Sequence, residues 1–247
     1  MCGVRGTLSN MHTHMTILAH RGASGEEPEN TMRAFRRAHA LGCRWIECDV
    51  RMTKDGVPVI IHDAIVNRTT NGRGAVSQIP YHDLRKLDAG KGEAMPSLKE
   101  LILFAKKYSM RLVLEIKDPH ALNTTLTCLH THNYSHQVII SSLTSPVLRR
   151  AHALNPSLAA ALIIARPQTH WIRAAQRARV RIIHVKSSLV TKKKIKNARD
   201  AGLGVWGWTV NTPQEAARLV RFGIQGIFTD HPQYFLQSGH QGSTPIV

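Results

Sequence analysis

Four short stretches of the chain hold side chains suited to proton transfer and anion binding: His20-Arg21-Gly22, Glu47-Cys48-Asp49, His62-Asp63 and Glu115-Ile116-Lys117. Each lies at or just past the end of an apolar, strand-like run. Two imidazoles that titrate near neutrality, acidic oxygens for a cation and two basic side chains for an anion are what metal-assisted cleavage of a phosphodiester requires. In a strand, alternate residues share a face, so Glu47 and Asp49 point one way and Ile46, Cys48 and Val50 the other. The same alternation sends Glu115 and Lys117 to one side. Carboxylates crowded out of water repel each other unless a cation sits between them. Three of them near strand ends make an oxygen-rich site suited to Mg²⁺ or Ca²⁺. The alternative is ion pairing without a metal, Glu115 with Lys117 or Arg21.

His20 and His62 follow the apolar runs Ile17-Leu18-Ala19 and Val57-Pro58-Val59-Ile60-Ile61. With 15 histidines in the chain, residue type alone says little. Their neighbours Arg21 and Asp63 distinguish these two, and the others receive no role. Downstream, Trp208 shares the strand phase of Trp206 and Val210. It either roofs a small polyol or packs the interior.

The elements that must position these groups alternate regularly. Strand-like runs occupy Met15–Ala19, Arg44–Asp49, Arg111–Ile116, Gln137–Ser141, Leu158–Ile164, Val180–Val185, Leu203–Thr209 and Gly226–Thr229. Helical patterns separate them. Asn30 is a candidate cap for the first helix and Gly42 its stop. Ser97 with Glu100 reads as a capping box, and Thr212-Pro213 opens the last helix that Gly223 ends. Eight such units in 247 residues predict an α/β fold, a TIM (β/α)8 barrel. No glycine-rich dinucleotide fingerprint follows the first strand. The stretch from His62 to Met95 is too long for an ordinary connection and predicts an insertion after the second strand, about 64–95, over one barrel mouth. Asn71-Gly72-Arg73-Gly74 reads as a turn within it and Tyr81–Leu87 as a short helix. Residues 1–14 read as a disordered extension, 15–237 as one catalytic barrel domain and 238–247 as a flexible tail. Met15, immediately ahead of the first strand, is an alternative start.

Composition is that of a globular protein, 43% hydrophobic and 20% charged, with no apolar run long enough to span a bilayer. The four cysteines show no metal or disulfide framework, and a reduced, cytoplasmic setting follows. The net charge of +17 clusters at Arg33–Arg37, Arg173–Arg181 and Lys192–Lys196. Such a surface attracts polyanions. With only 5% aromatic residues, base stacking has little support, and no specific nucleic-acid partner is expected.

Taken in order, Ile17-Leu18-Ala19-His20-Arg21-Gly22, Pro28-Glu29-Asn30-Thr31, Glu47-Cys48-Asp49-Val50, Thr53-Lys54-Asp55-Gly56-Val57-Pro58-Val59 and Ile61-His62-Asp63 form an ordered series. Asn67–Gly72, Pro96-Ser97-Leu98, Glu115-Ile116-Lys117, Gly207–Asn211 and Gly226–Asp230 continue it. The series resembles the bacterial glycerophosphodiester phosphodiesterases from about Met15 to Phe235. Cys48 and Met52 stand where aliphatic residues are commoner. The resemblance implies a TIM barrel with an insertion after the second strand, and hydrolysis of small glycerophosphodiesters such as glycerophosphocholine or glycerophosphoethanolamine to sn-glycerol 3-phosphate and an alcohol. By the same resemblance Glu47, Asp49 and Glu115 bind a divalent metal, Mg²⁺ or Ca²⁺. His20 and His62 are the acid/base pair, with His20 preferred as base. Arg21 and Lys117 hold the phosphate, and Trp208 lines the glycerol site. Two competing readings are a lysophospholipase D or sphingomyelinase D-like activity on lipids, and a basic polyanion-binding barrel without turnover. The polar insertion disfavours the first, and the full charged set disfavours the second.

Overall fold

The computed structural model describes residues 15–167 and 170–236. The expectations for 1–14 and 238–247 lie outside these residues. The strands are β1 (Thr16–His20), β2 (Trp45–Met52), β3 (Pro58–Ile60), β4 (Arg111–Ile116), β5 (Val138–Ser142), β6 (Ala159–Ile164), β7 (Ile182–Lys186), β8 (Gly204–Trp208) and β9 (Gly226–Thr229). Between them run the helices α1 (Met32–Ala40), α2 (Tyr81–Leu84), α3 (Leu98–Lys107), α4 (Ala121–Thr131), α5 (Ser145–Leu154), α6 (Trp171–Ala178), α7 (Lys192–Asp200) and α8 (Pro213–Phe222). The sheet order is β1-β9-β8-β7-β6-β5-β4-β2, and β1 pairs again with β2, so eight parallel strands close into a barrel. This is the expected TIM architecture.

Both faces of the barrel wall are buried, which explains why its strands read as nearly continuous apolar runs. Outward residues such as Ile46, Cys48, Leu112, Leu114 and Ile140 pack under the helices with Phe35, Leu101 and Leu148. Inward residues Leu18, Trp45, Val113, Ile139, Ala161, Trp206 and Phe228 fill the barrel floor. Val210 departs from the expected phase, packing with the outer layer rather than beside Trp206. Removing a fully buried leucine such as Leu112 would cost about 2–5 kcal/mol through lost contacts and the cavity left behind.

Helix ends follow the sequence with one correction. Ser97 and Glu100 form the capping box of α3, and Thr212 caps α8, whose end is set by Gly223 at φ +93°. Helix α1 is capped by Thr31, not by Asn30. Asn30 is buried at φ +58°, and its side chain is spent on the barrel interior.

The insertion begins where β3 pairs antiparallel with the far end of β2. Val59, Ile61, Val66, Val76, Leu84 and Met95 give it a small core of its own. An Ile65–Ala75 bridge closes the turn across Asn71–Gly74, and the short helix is confined to Tyr81–Leu84. The basic clusters differ in kind. Arg33, Arg36 and Arg37 are each paired with an acid, Glu27, Glu93 and Glu26 respectively. In the α6–α7 cluster, Lys196 with Asp200 is the only ion pair among the described residues.

Candidate active site

Strand register assembles the charged groups at the carboxyl ends of adjacent strands, where barrel loops carry function. His20 on β1 lies level with Glu47 on β2, and Asp49 lies level with Glu115 on β4. The antiparallel β3 adds the second histidine. The Ile61 amide donates to the Asp49 carbonyl at 2.9 Å, which sets His62 beside β2, and Arg51 Nε donates to the His62 carbonyl at 2.8 Å. His20, Arg21, Glu47, His62, Glu115, Lys117 and Trp208 all line one cavity of about 200 Å³.

Ligand oxygens of Glu47, Asp49 and Glu115 lie within 4.8 Å of one another. Their surroundings are crowded with charge. Lys117 Nζ is 2.7 Å from Glu115 and 3.3 Å from Asp49, and Arg21 Nε is 3.2 Å from Asp49. Asn30 donates to Asp49 Oδ2 at 2.9 Å, and the Arg21 amide donates to Glu47 at 3.1 Å. Burial, reinforced by the Asp49 charge, pushes Glu47 up to about 8 and raises Glu115 as well. Burial also works to raise Asp49, but Lys117 and Arg21 outweigh it and hold that carboxyl below its ordinary value. Asp49 Oδ1 is buried without a hydrogen bond, with the Lys117 ammonium 3.3 Å away as its ionic neighbour. Three buried acids, two of them driven towards protonation and the third with an oxygen that no hydrogen bond satisfies, have the donor chemistry for a hard divalent cation. The residues fit the metal. Of the ion pairs expected as the alternative, Glu115 with Lys117 is present, whereas Arg21 pairs with Asp49 and Glu29 rather than with Glu115.

Each histidine is held by a carboxylate at Nδ1. His20 is 2.7 Å from Asp230 and His62 is 2.6 Å from Asp63. Asp230 is fixed in turn by Asn211 Nδ2 at 2.7 Å and Ser24 Oγ at 3.0 Å. Burial would raise Asp230, yet the hydrogen bonds from His20, Asn211 and Ser24 hold it well below the usual carboxylate range. Burial acts to lower His20, but Asp230 and Glu47 outweigh it and leave it raised. For His62, burial prevails and the value falls despite Asp49 and Asp63. Arg21, at φ +56°, turns its guanidinium to Glu29 at 2.9 Å. The next residue, Gly22, has φ +84°, and a Cβ there would lie 2.7 Å from the Ala34 backbone. Only glycine lets α1 approach the end of β1 this closely.

A family model described as the glycerophosphoryl diester phosphodiesterase family matches residues 20–234. The chain belongs to that family. A glycerophosphodiester phosphodiesterase of Caldanaerobacter subterraneus is 32% identical over 92% of this chain and 98% of its own length. One from Bacillus subtilis is 29% identical over 94% of this chain and 88% of its own. Among solved structures, an Oleispira antarctica phosphodiesterase in complex with the product sn-glycerol-3-phosphate superposes with a TM-score of 0.86. It shares 30% identity over 90% of this chain and 95% of that one. This chain is therefore a hydrolase of the glycerophosphodiester phosphodiesterase family.

The structure brings together every site residue that the sequence reading named in this family member. Several further residues join them. Asp230, which has no role in the sequence analysis, holds His20 through its side chain. Asn30, the expected helix cap, instead donates to Asp49. Glu29 joins Arg21 to the insertion, because Arg68 reaches both Glu29 and Asp63 at 2.8 and 2.6 Å. Among the thirteen histidines given no role, His184 lines the cavity. A strand-end acid after Gly226–Thr229 was the available signal for Asp230; nothing local distinguishes His184.

Proposed function

We propose that this enzyme hydrolyses small glycerophosphodiesters, such as glycerophosphocholine or glycerophosphoethanolamine, to sn-glycerol 3-phosphate and an alcohol. Glu47, Asp49 and Glu115 would hold a divalent cation, Mg²⁺ or Ca²⁺. The reading is carried by one observation: three carboxylates within 4.8 Å of one another stand beside two carboxylate-held imidazoles on a shared cavity.

When bound, the cation supplies Lewis-acid stabilisation of charge on the phosphoryl oxygens. Arg21 and Lys117 add donors to those oxygens as charge builds, and both are pre-positioned by Glu29, Asp49 and Glu115. With Nδ1 of each histidine fixed on a carboxylate, Nε2 is the proton-transfer atom. One histidine deprotonates the attacking oxygen, either water or the substrate's neighbouring hydroxyl, and the other protonates the departing alkoxide. Asp230 and Asp63 orient the two rings and stabilise whichever becomes imidazolium.

A lipid substrate would need an apolar channel, and a cavity of about 200 Å³ is smaller than the roughly 300–1,000 Å³ typical of sites for drug-sized molecules. The turnover-free polyanion-binding reading does not accommodate membership of a hydrolase family. A cytoplasmic setting suits the free thiols of Cys43, Cys48 and Cys128, and no described helix is long and apolar enough to cross a membrane. The test is coupled detection of glycerol 3-phosphate from glycerophosphocholine, glycerophosphoethanolamine and a lysolipid, with and without chelator. Metal-dependent release from the first two is expected. Release from the lysolipid alone would overturn the assignment.

A further inference from the structure

The cavity has two unlike halves. His20, Arg21, Glu47, His62, Glu115 and Lys117 make one, and Leu143, Ile163, Ala165, Trp208 and Phe228 make most of the other. Two polar side chains, Ser141 and His184, lie within the apolar half. Both are almost fully buried, at 1% and 2% exposure. Ser141 Oγ and His184 Nε2 are shielded from water and make no hydrogen bond to any described residue. Buried polar atoms without partners are costly, and natural folds rarely keep them without a use.

Their placement is fixed. Ser141 on β5 is level with Glu115 on β4, at the boundary with the charged half. The His184 ring stacks on Trp206 at 5.3 Å and meets Phe228 edge-on at 4.7 Å. The His184 carbonyl accepts from Trp208 Nε1 at 3.1 Å, which ties the wall of the cavity to the same strand. No acid among the described residues faces His184, and burial pushes its pKa down to about 3, so the ring is neutral. A neutral imidazole and a hydroxyl each offer both a donor and an acceptor, which suits an alcohol. A cationic head group would call for a carboxylate, and the acids that line the cavity lie in the other half.

We propose that Ser141 and His184 recognise the hydroxyls of the substrate's glycerol unit, against an apolar wall that takes its carbon face. They would thereby give the enzyme its preference for glycerol-bearing diesters. This inference rests on the function proposed above. With the phosphate at Arg21 and Lys117, the three-carbon chain runs across Ser141 towards His184. A site that pairs its buried polar groups with substrate hydroxyls discriminates strongly against analogues lacking them, because those groups are then left unpaired.

The test compares kcat/KM for glycerophosphocholine and for its analogue lacking only the terminal glycerol hydroxyl, which retains the hydroxyl beside the phosphodiester. The wild type should favour the first by at least about tenfold. Ser141→Ala and His184→Phe should each draw that ratio towards one, mainly through a higher KM for glycerophosphocholine. The ratio of choline to ethanolamine substrates should stay as in the wild type. Equal kcat/KM for the two substrates in the wild type would overturn the inference. So would an unchanged ratio in the gentle Ser141→Ala variant, or a change confined to the alcohol released. Absence of turnover on any glycerophosphodiester would instead overturn the functional reading on which it stands.

Discussion

On the β1–β2–β4 side of the barrel mouth, the half-buried His20 has Asp230 on its Nδ1; on the β7 side, His184 is buried between aromatic rings and faces no acid among the described residues. Burial acts to lower both. At His20 the hydrogen bond to Asp230 and the charge of Glu47 reverse the outcome, whereas at His184 nothing opposes it. One ring is thus equipped to exchange a proton near neutrality and the other is kept neutral. Residue type is shared; the second side chain decides the chemistry. The acids behave likewise. Glu47, Asp49 and Glu115 share a place that favours a cation, while Asp230 and Asp63 serve imidazoles.

The largest expected effect concerns the acid cluster. Chelation, or Glu115→Gln, should lower kcat by on the order of 10³-fold, the size of several kcal/mol of charge stabilisation. Added Mg²⁺ or Ca²⁺ should raise the melting temperature of the wild type and leave that of Glu115→Gln nearly unmoved. Equal activity before and after chelation would remove the cation from the account. Next come the histidines. His20→Ala and His62→Ala should each cost about 10²–10⁴-fold in kcat. A p-nitrophenyl leaving group needs no protonation, so it should restore whichever variant lacks the acid and leave the other slow. His184→Phe should fall far short of these losses. A loss of the same size there, insensitive to the leaving group, would break the contrast between the two rings.

Asp230→Asn sharpens the contrast further, with an expected loss of about 10–100-fold, since outer carboxylates tune rather than perform the chemistry. The sign of its pH effect is defined. Asp230 favours protonated His20, so removing the carboxylate lowers the His20 pKa. The limb of the pH–rate profile belonging to that ring should move to lower pH. A profile that stays in place would mean that Asp230 serves folding alone.

Much of this was readable in the chain. Strand alternation sorted Glu47 and Asp49 from Ile46, Cys48 and Val50, because a period of two is local and survives folding. Strand positions followed from apolar runs that the barrel buries on both faces. What escaped were partners brought together across long loops. Asp230 meets His20 across 210 residues, and Asn30 meets Asp49 across 19, in contacts that no periodicity encodes. A capping reading for Asn30 was chemically sound, since asparagine suits that role, but Thr31 supplies the cap and frees the amide for the site. β2 also runs three residues past the expected Asp49 to Met52, because β3 continues its ladder. That antiparallel partner is how His62 enters a barrel of parallel strands.

The smallest effect tests a depressed carboxyl outside the site. Glu100 accepts from the Ser97 amide at 2.8 Å and from the Tyr81 hydroxyl at 2.7 Å, and it pairs with Arg85 at the foot of the insertion. Burial would raise it, but these donors prevail and hold it at about 2. A folded-state value below the unfolded one means that the ionised group stabilises the fold above the ordinary carboxylate range. That contribution is lost as pH falls from about 4.5 towards 2. Glu100→Gln should therefore lower stability at pH 7 by about 1 kcal/mol, the size of a lost cap, with the exposed part of the side chain limiting the loss. The gap between the two melting temperatures should narrow steadily as the solution is acidified and close near pH 2. Unlike Asp230→Asn, this variant should leave the pH–rate profile in place, because Glu100 braces the insertion without touching either imidazole. A gap that persists at low pH would show that Glu100 acts through packing rather than through its charge.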